Sequence, residues 1–394
     1  MLLNDCIEEL TGLKGLIVKE VKNISGELHI YGRMVQRIHS CPRCGTETSK
    51  VHDYREQVIR DISCFGNVSY IHLKKRRHVC PLCGKRFFEQ VGFLPKYHRM
   101  TNRLYAFILS EFGKLQPIKA VAGRCNVSAT SAARIFDKVK FKPPSKLPEV
   151  ISIDEFRGNA GGEKFQCILA DPKHHKVLDI LPTRKSDDLY AYFSGFENRK
   201  AVKYVVMDMS LLFKEVVKHS FPNARIIADK YHVVRQVCWA MENVRKTEQK
   251  KFSDSRRKYF KRSRKLLLTH FYSLDDEDLS RLEVMLQTSE RLRRAYYALQ
   301  EFYLLMDESV SRDDARKRLG KWLMQVESYS LPEFKACVTA IRNWSEEILN
   351  SFDLPFTNGY TEGMNNKIKV LKRCAFGVRN FERFRNRILM VAAS

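Results

Sequence analysis

Apolar positions along the chain change period, and each change marks a different kind of element. Around Leu16-Ile-Val-Lys-Glu-Val21 and Glu27-Leu-His-Ile-Tyr31 they alternate with polar ones, which predicts two strands at the start of a small β domain. Two further β-rich runs flank Phe65-Gly-Asn-Val68, a turn sequence that predicts a hairpin. Beyond residue 100 the period lengthens: Leu104, Phe107, Ile108 and Phe112 fall at helical spacing. Pro117 can open the next helix, with Ile118, Val121 and Ala122 as its buried stripe. After a turn over Gly123 to Val127, Ser128 caps a helix from Ala129 to Lys138. A helix, a tight turn and a capped second helix is a helix-turn-helix layout, with Thr130, Ser131 and Arg134 placed to face a DNA major groove. Any small helical hairpin shares that pattern. Pro143-Pro-Ser-Lys-Leu-Pro148 then reads as an extended linker.

After the linker come Glu149-Val-Ile-Ser-Ile-Asp-Glu-Phe156, Phe165-Gln-Cys-Ile-Leu-Ala170 and Lys176-Val-Leu-Asp-Ile-Leu181, three strands in a meander. A helix near Asp187 to Phe196, a strand ending at Asp208, a helix from Leu211 to His219 and the strand Ala224-Arg-Ile-Ile-Ala228 complete a β-β-β-α-β-α-β order. That is the ribonuclease H arrangement, in which the first and fourth strands are neighbours. From Tyr231 to about Asn350 the chain reads as helical and basic. The expected fold is therefore a mixed α/β (α+β), multidomain one. A zinc-ribbon-like β domain spans 1–95, with its cysteine knuckles at 41–83, and a helix-turn-helix spans 96–142. A linker at 143–149 leads to a ribonuclease H-like core over 150–394, interrupted by a helical insertion at about 235–350.

The strands carry the candidate chemistry. Asp154 sits in a β-branched run where a neutral residue belongs, and burying a lone carboxylate is costly. A solvated strand end is the plain alternative. Asp208 ends a second such strand, however, and Glu362 opens a polar helix in Asn358-Gly-Tyr-Thr-Glu-Gly-Met-Asn-Asn-Lys367. Three carboxylates of this kind suit a two-metal phosphoryl-transfer site with Mg²⁺ or Mn²⁺. Asp154 is expected to serve both ions, Asp208 one and Glu362 the other, with Glu362 kept ionised by the first turn of its helix. Asn365, Lys369 and Arg373 are expected to hold flanking phosphates. Glu155 should face away from Asp154. Asp229 is a competitor that sits beside the site and positions His232 or Arg235.

Eleven cysteines are an odd number, and four of them form Cys41-Pro-Arg-Cys44-Gly and Cys80-Pro-Leu-Cys83-Gly, which together read as a structural four-cysteine zinc site. His52, His72 and His78 could replace a cysteine ligand and are left out of the assignment. Cys6, Cys64, Cys125, Cys167, Cys238, Cys337 and Cys374 read as small hydrophobes. The net charge of +25 points to a polyanion, nucleic acid first. Lys74-Lys-Arg-Arg77 and Lys85-Arg86 beside Phe87 and Phe88 suit phosphate and base contact. The stretch from Arg245 to Lys265, with eleven Lys and Arg against two acids, reads as a DNA-facing surface. No apolar run is long enough to span a bilayer and the first residues lack a signal-peptide pattern, so the expected location is the cytoplasm.

The paired knuckles and helix-turn-helix, with Ile153-Asp-Glu155, Val206-Met-Asp-Met209, Ala228-Asp-Lys-Tyr-His-Val-Val-Arg235 and Tyr360-Thr-Glu-Gly-Met-Asn-Asn-Lys-Ile-Lys-Val-Leu-Lys-Arg373, resemble the bacterial ISL3-type insertion-sequence transposases of the Asp-Asp-Glu (DDE) superfamily. The resemblance runs from about residue 38 to the C-terminus. It implies an N-terminal part that binds terminal inverted repeats and a catalytic domain with Asp154, Asp208 and Glu362 as its triad. Cleavage by water would be followed by attack of the freed 3′-hydroxyl on target DNA, by a homodimer or higher oligomer. Two rival readings are a zinc and helix-turn-helix regulator with an inactive third domain, and a structure-specific nuclease.

Overall fold

In the computed structural model, which describes residues 12–375 and 377–393, the first strands are β1 (Leu16–Ile24) and β2 (Glu27–Met34), antiparallel about a turn at Ser25 and Gly26. Short strands β3 (His39–Ser40) and β4 (Glu47–Thr48) pair across the first knuckle. β5 (Val51–Cys64) and β6 (Asn67–Val79) form the long hairpin between the knuckles, and β7 (Arg86–Phe88) adds to β6. Phe65 and Gly66 turn that hairpin with φ of 50° and 80°, the positive values that match a tight turn to the strand twist. β2 lies parallel to β6, which gives the order β1-β2-β6-β5. One face of the sheet buries Leu16, Ile30, Ile59, Ile71 and Leu73 with Val91 and Leu94.

Three helices follow: α1 (Asn102–Phe112), α2 (Ile118–Arg124) and α3 (Ala129–Phe136). Thr101 caps α1 by accepting from the Leu104 amide, and Ser128 caps α3 by accepting from the Ser131 amide. Their apolar stripes meet in one core, where the rings of Phe112 and Phe136 stack at 4.4 Å, a contact that contributes about 1 kcal/mol beyond burial.

The chain divides into two compact units. One holds residues up to Phe141 together with Val370–Val378 and Glu382 onward, and the other holds Lys142–Lys369 with Arg379–Phe381. The last helix, Phe381–Ala393, thus belongs with the helical trio, whereas the sequence reading kept it with residues 150–394. Arg387 is buried and donates to the carbonyls of Phe112, the last residue of α1, and of Lys114 and Gln116 just beyond it, where the helix leaves carbonyls without helical partners. Asn386 donates to the carbonyl of Val139, and Arg383 forms a two-pronged ion pair with Asp137 at 2.7 Å.

In the second unit, β8 (Val150–Phe156), β9 (Gln166–Asp171) and β10 (Lys176–Leu181) form an antiparallel meander. After α4 (Ser186–Ser194), β11 (Tyr204–Met207) lies parallel to β8; after α5 (Leu211–Ser220), β12 (Arg225–Ala228) lies parallel to β11. The order is β10-β9-β8-β11-β12, with both faces covered, so the central strands read as nearly continuous apolar runs. Helices then run from α6 (Lys230–Gln249) to Ser345–Asp353, and the helix Gly359–Cys374 follows. Among the described residues no helix is long and apolar enough to cross a membrane.

Candidate active site

Strand register creates the site. Ile153 of β8 pairs with Met207 of β11, and Met207 pairs with Ala228 of β12. The next residue on each strand is an acid: Asp154, Asp208 and Asp229. Three neighbouring parallel strands therefore place carboxylates at one level of the sheet, within β8 and just past the ends of β11 and β12. The sequence reading chose two of them and kept Asp229 as a competitor beside the site; the register puts it in the same row.

The fourth acid arrives on the helix Gly359–Cys374. Ser152 and Thr361, both fully buried, meet hydroxyl to hydroxyl at 2.6 Å and pin that helix to β8, which sets Glu362 beside the strand ends. One helical turn on, Asn365 donates from Nδ2 to Asp154 Oδ2 at 2.8 Å, and the Glu155 amide donates to Asp154 Oδ1 at 2.7 Å. Asn365 was expected to hold a flanking phosphate, but its side chain is buried and turned to the acid. Glu155 points elsewhere and pairs with Arg184 at 2.5 Å.

His232, on the first turn of α6, links the remaining acids. Its Nδ1 lies 2.8 Å from Asp229 Oδ2 and 3.9 Å from Glu362 Oε1. One ligand atom from each of Asp229, His232 and Glu362 lies within 4.8 Å of the others, so Glu362 is drawn to the Asp229 side of the row. Burial works against a charge on His232, but the hydrogen bond and charge of Asp229 prevail and raise its pKa.

The acids strain against one another. Burial first and the Asp208 charge next push Asp154 up to about 7. Burial, with Glu155 and Asp229 adding to it, also raises Asp208, whose Oδ1 is buried with no hydrogen-bond partner. Glu362 is raised too, by burial and then by Asp229, which act against the lowering expected from its place in the first turn of a helix. Buried and half-buried carboxylates of this kind, one with an unpaired oxygen, form an oxygen-donor set that fits hard divalent cations.

In the first unit, Cys41, Cys44, Cys80 and Cys83 converge with sulfur separations of 3.5 to 3.6 Å, close to the roughly 3.8 Å edge of a tetrahedral zinc–thiolate site. The amides of Arg43 and Cys83 point at Cys41 and Cys80 sulfurs, as turns after a Cys-Pro step allow. Hydrogen bonds with the side chain and backbone of Thr46 bring the Cys44 thiol down to about 6. Four thiolates fill a tetrahedron and leave no open position, so the group suits a structural zinc. Of the other cysteines, Cys125, Cys167 and Cys337 are buried, Cys64, Cys238 and Cys374 are half-buried, and Cys6 lies outside the described residues.

On α3, Thr130 and Arg134 are exposed, while the Ser131 hydroxyl is tied to Ser128 at 2.9 Å. Lys369 and Arg373 are exposed on their helix. Two expected surface cations are not at the surface. Arg76 is buried against Glu89, and Arg245, inside the densest basic stretch, is buried against Glu242 and Gln249.

Comparison with known families follows the same division. A DDE transposase model of the ISL3 type matches residues 151–388. A zinc-finger model of the IS204/IS1001/IS1096/IS1165 transposases matches 37–83, and a model for the helix-turn-helix domain of transposase family ISL3 matches 89–139. The chain is 28% identical over 400 residues to the transposase for insertion sequence element IS1001 of Bordetella parapertussis, covering 98% of this chain and 97% of that one. It is 22% identical over 245 residues to the transposase for insertion sequence element IS1557 of Mycobacterium tuberculosis, covering 55% and 54%.

Proposed function

Because the chain belongs to the ISL3 family of DDE transposases, we propose that Asp154, Asp208 and Glu362 are the acids that hold its catalytic divalent cations, with Asn365, Asp229 and His232 positioning them. The observation that carries this reading is the convergence of one buried and two half-buried acids from two parallel strands and one helix, each with its ionisation opposed by burial and by a neighbouring charge. A bound divalent cation relieves that opposition. Carboxylate and amide oxygens favour Mg²⁺ or Mn²⁺, and such ions, when bound, supply the Lewis acidity that phosphoryl transfer requires.

The protein's own part is orientation. Asp154 is fixed at both oxygens, one by its neighbour's amide and one by Asn365, so it presents the same lone pairs at every turnover. Asp229 sets the ring of His232, and His232 in turn faces Glu362. The strand order and the helices that follow β12 support a ribonuclease H-like core with a helical insertion. Cys41, Cys44, Cys80 and Cys83 would hold a structural zinc.

DNA is the substrate of this family. Thr130 at the start of α3 and Arg134 in its last turn, both exposed, suit base contact at the terminal inverted repeats, with Ser131 tied into the N-terminal cap. Lys369, Arg373 and the basic stretch after α6 suit phosphate contact. We place the enzyme in the cytoplasm on chromosomal DNA, acting as a homodimer or higher oligomer that joins element ends to target. The DNA around the gene tests the reading at once: flanking inverted repeats with a short target duplication support it, and their absence counts against it. Incubating the purified chain with those ends and Mg²⁺ or Mn²⁺ should give nicks at the element boundary on a denaturing gel, whereas uncut ends that are nonetheless bound would favour a regulator.

A further inference from the structure

The two knuckles share more than their cysteines. His39-Ser-Cys41-Pro-Arg-Cys44-Gly45 and His78-Val-Cys80-Pro-Leu-Cys83-Gly84 each carry a histidine two residues before the first cysteine. Their backbones fold alike as well: the Gly45 amide donates to the Cys41 carbonyl and the Cys41 amide to the Thr46 carbonyl, while Gly84, Cys80 and Lys85 repeat both bonds. Two equivalent turns that bring four sulfurs together also bring these two imidazoles together, with ring centroids 4.8 Å apart.

A third donor completes the group. Glu89, just beyond β7, has its carboxylate buried next to the histidines, and one ligand atom from each of His39, His78 and Glu89 lies within 4.8 Å of the others. His78 is fully buried, yet neither of its ring nitrogens has a hydrogen-bond partner. Buried polar atoms are nearly always satisfied, and an imidazole with both nitrogens unpaired is an exception that calls for an unrepresented partner. Arg76 does not supply it. Its amide donates to Glu89 Oε1 at 2.7 Å and its guanidinium to Oε2 at 3.0 Å, so it holds the carboxylate and leaves each oxygen a further lone pair. This is how a carboxylate ligand is ordinarily braced from behind.

We propose that His39, His78 and Glu89 bind a second divalent metal of the zinc class, separate from the four-cysteine site. Two imidazoles and one carboxylate are borderline donors that suit zinc over magnesium or calcium, and three protein ligands leave a fourth position for water, reached from the half-exposed side of His39. The ion would tie together β3, the end of β6 and the segment after β7. The sequence reading weighed His78 as a stand-in for a cysteine ligand; the geometry gives it partners of its own.

The test uses the full-length chain with zinc exchanged for cadmium-113. In an Asp154→Asn, Glu362→Gln background that removes cation binding at the acidic site, two resonances are expected, one in the all-thiolate range and one in the nitrogen and oxygen range, with two metals per chain by mass spectrometry. His39→Gln, at a half-exposed position, should remove the second resonance and one metal while leaving the thiolate signal. Glu89→Gln should do the same if its fold survives. A parental chain that shows only the thiolate resonance at excess cadmium overturns the proposal whatever the variants do. So does a folded His39→Gln chain that keeps both signals.

Discussion

The side-chain amide of Asn365 donates to Asp154 Oδ2 across 2.8 Å, joining a helix residue to a strand residue 211 positions earlier. One oxygen of an acid whose pKa is pushed up to about 7 is thereby aimed by a neutral group that cannot itself replace a cation. Replacing Asn365 with Ala should leave DNA binding unchanged in a gel shift but slow cleavage by roughly 10- to 100-fold, the usual effect of removing a group that orients a metal ligand. Parental cleavage rates in that variant would remove Asn365 from the site.

Asp154 also makes stability depend on pH. Its pKa is raised from 3.8 to about 7 by burial and then by Asp208. Across that window the folded chain binds a proton that the unfolded chain does not, so the stabilisation is complete below the unfolded value and is lost as pH rises through the folded one. In the absence of divalent cations, Asp154→Asn should therefore have a higher Tm than the parent, and the gap should widen from about pH 4 to about pH 7, reaching several degrees. Added Mg²⁺ should narrow it. A gap that stays constant with pH would mean that Asp154 is not buried among like charges.

The four-cysteine site should be an all-or-none part of its domain. Small knuckles have too little core to stand without metal. Cys83→Ser is expected to abolish the thiolate-to-cobalt charge-transfer bands of the cobalt-substituted protein and to strip residues 41–90 of amide-exchange protection while β8 to β12 stay protected. Unchanged bands would contradict the ligand assignment.

Arg134 is exposed on the helix whose cap is Ser128. If it reads a base, Arg134→Ala should cost about 1 to 3 kcal/mol on the element's ends and little on random DNA. Equal losses on both, measured by competition at fixed salt, would make it a phosphate contact.

Local signals made the knuckles and the helix-turn-helix legible, because a Cys-x-x-Cys spacing or a Ser128 cap is decided within a few residues. Asp154 and Asp208 stood out for a similar reason: each is a carboxylate in an apolar strand. What stayed hidden depends on distant partners. That Asp229 shares a row with them follows from pairing Ile153 with Met207 and Met207 with Ala228, which no single strand reveals. Asn365 looked like a phosphate ligand because its neighbours on the helix are basic, and its burial against Asp154 appears only once Ser152 and Thr361 meet. Arg76 and Arg245 counted as surface charge until Glu89 and Glu242 were found beside them. The last helix was placed with residues 150–394, and nothing near Arg387 in sequence indicates that it serves carbonyls some 270 residues earlier.

The central claim concerns which acids do the chemistry, and the His232 link makes the third one a real contest between Glu362 and Asp229. The deciding measurement incubates Asp154→Asn, Asp208→Asn, Glu362→Gln and Asp229→Asn chains with labelled inverted-repeat DNA and Mg²⁺ or Mn²⁺, scoring binding by gel shift and nicking on a denaturing gel. Each substitution removes a charge with little change of shape, so all four should bind. The first three should cleave at least on the order of 100-fold more slowly than the parent, because the cations that would activate the attacking water are no longer held. Asp229→Asn should be slowed but measurable. Near-parental cleavage by Glu362→Gln with an inactive Asp229→Asn would contradict the assignment and move the third acid from the helix to the strand.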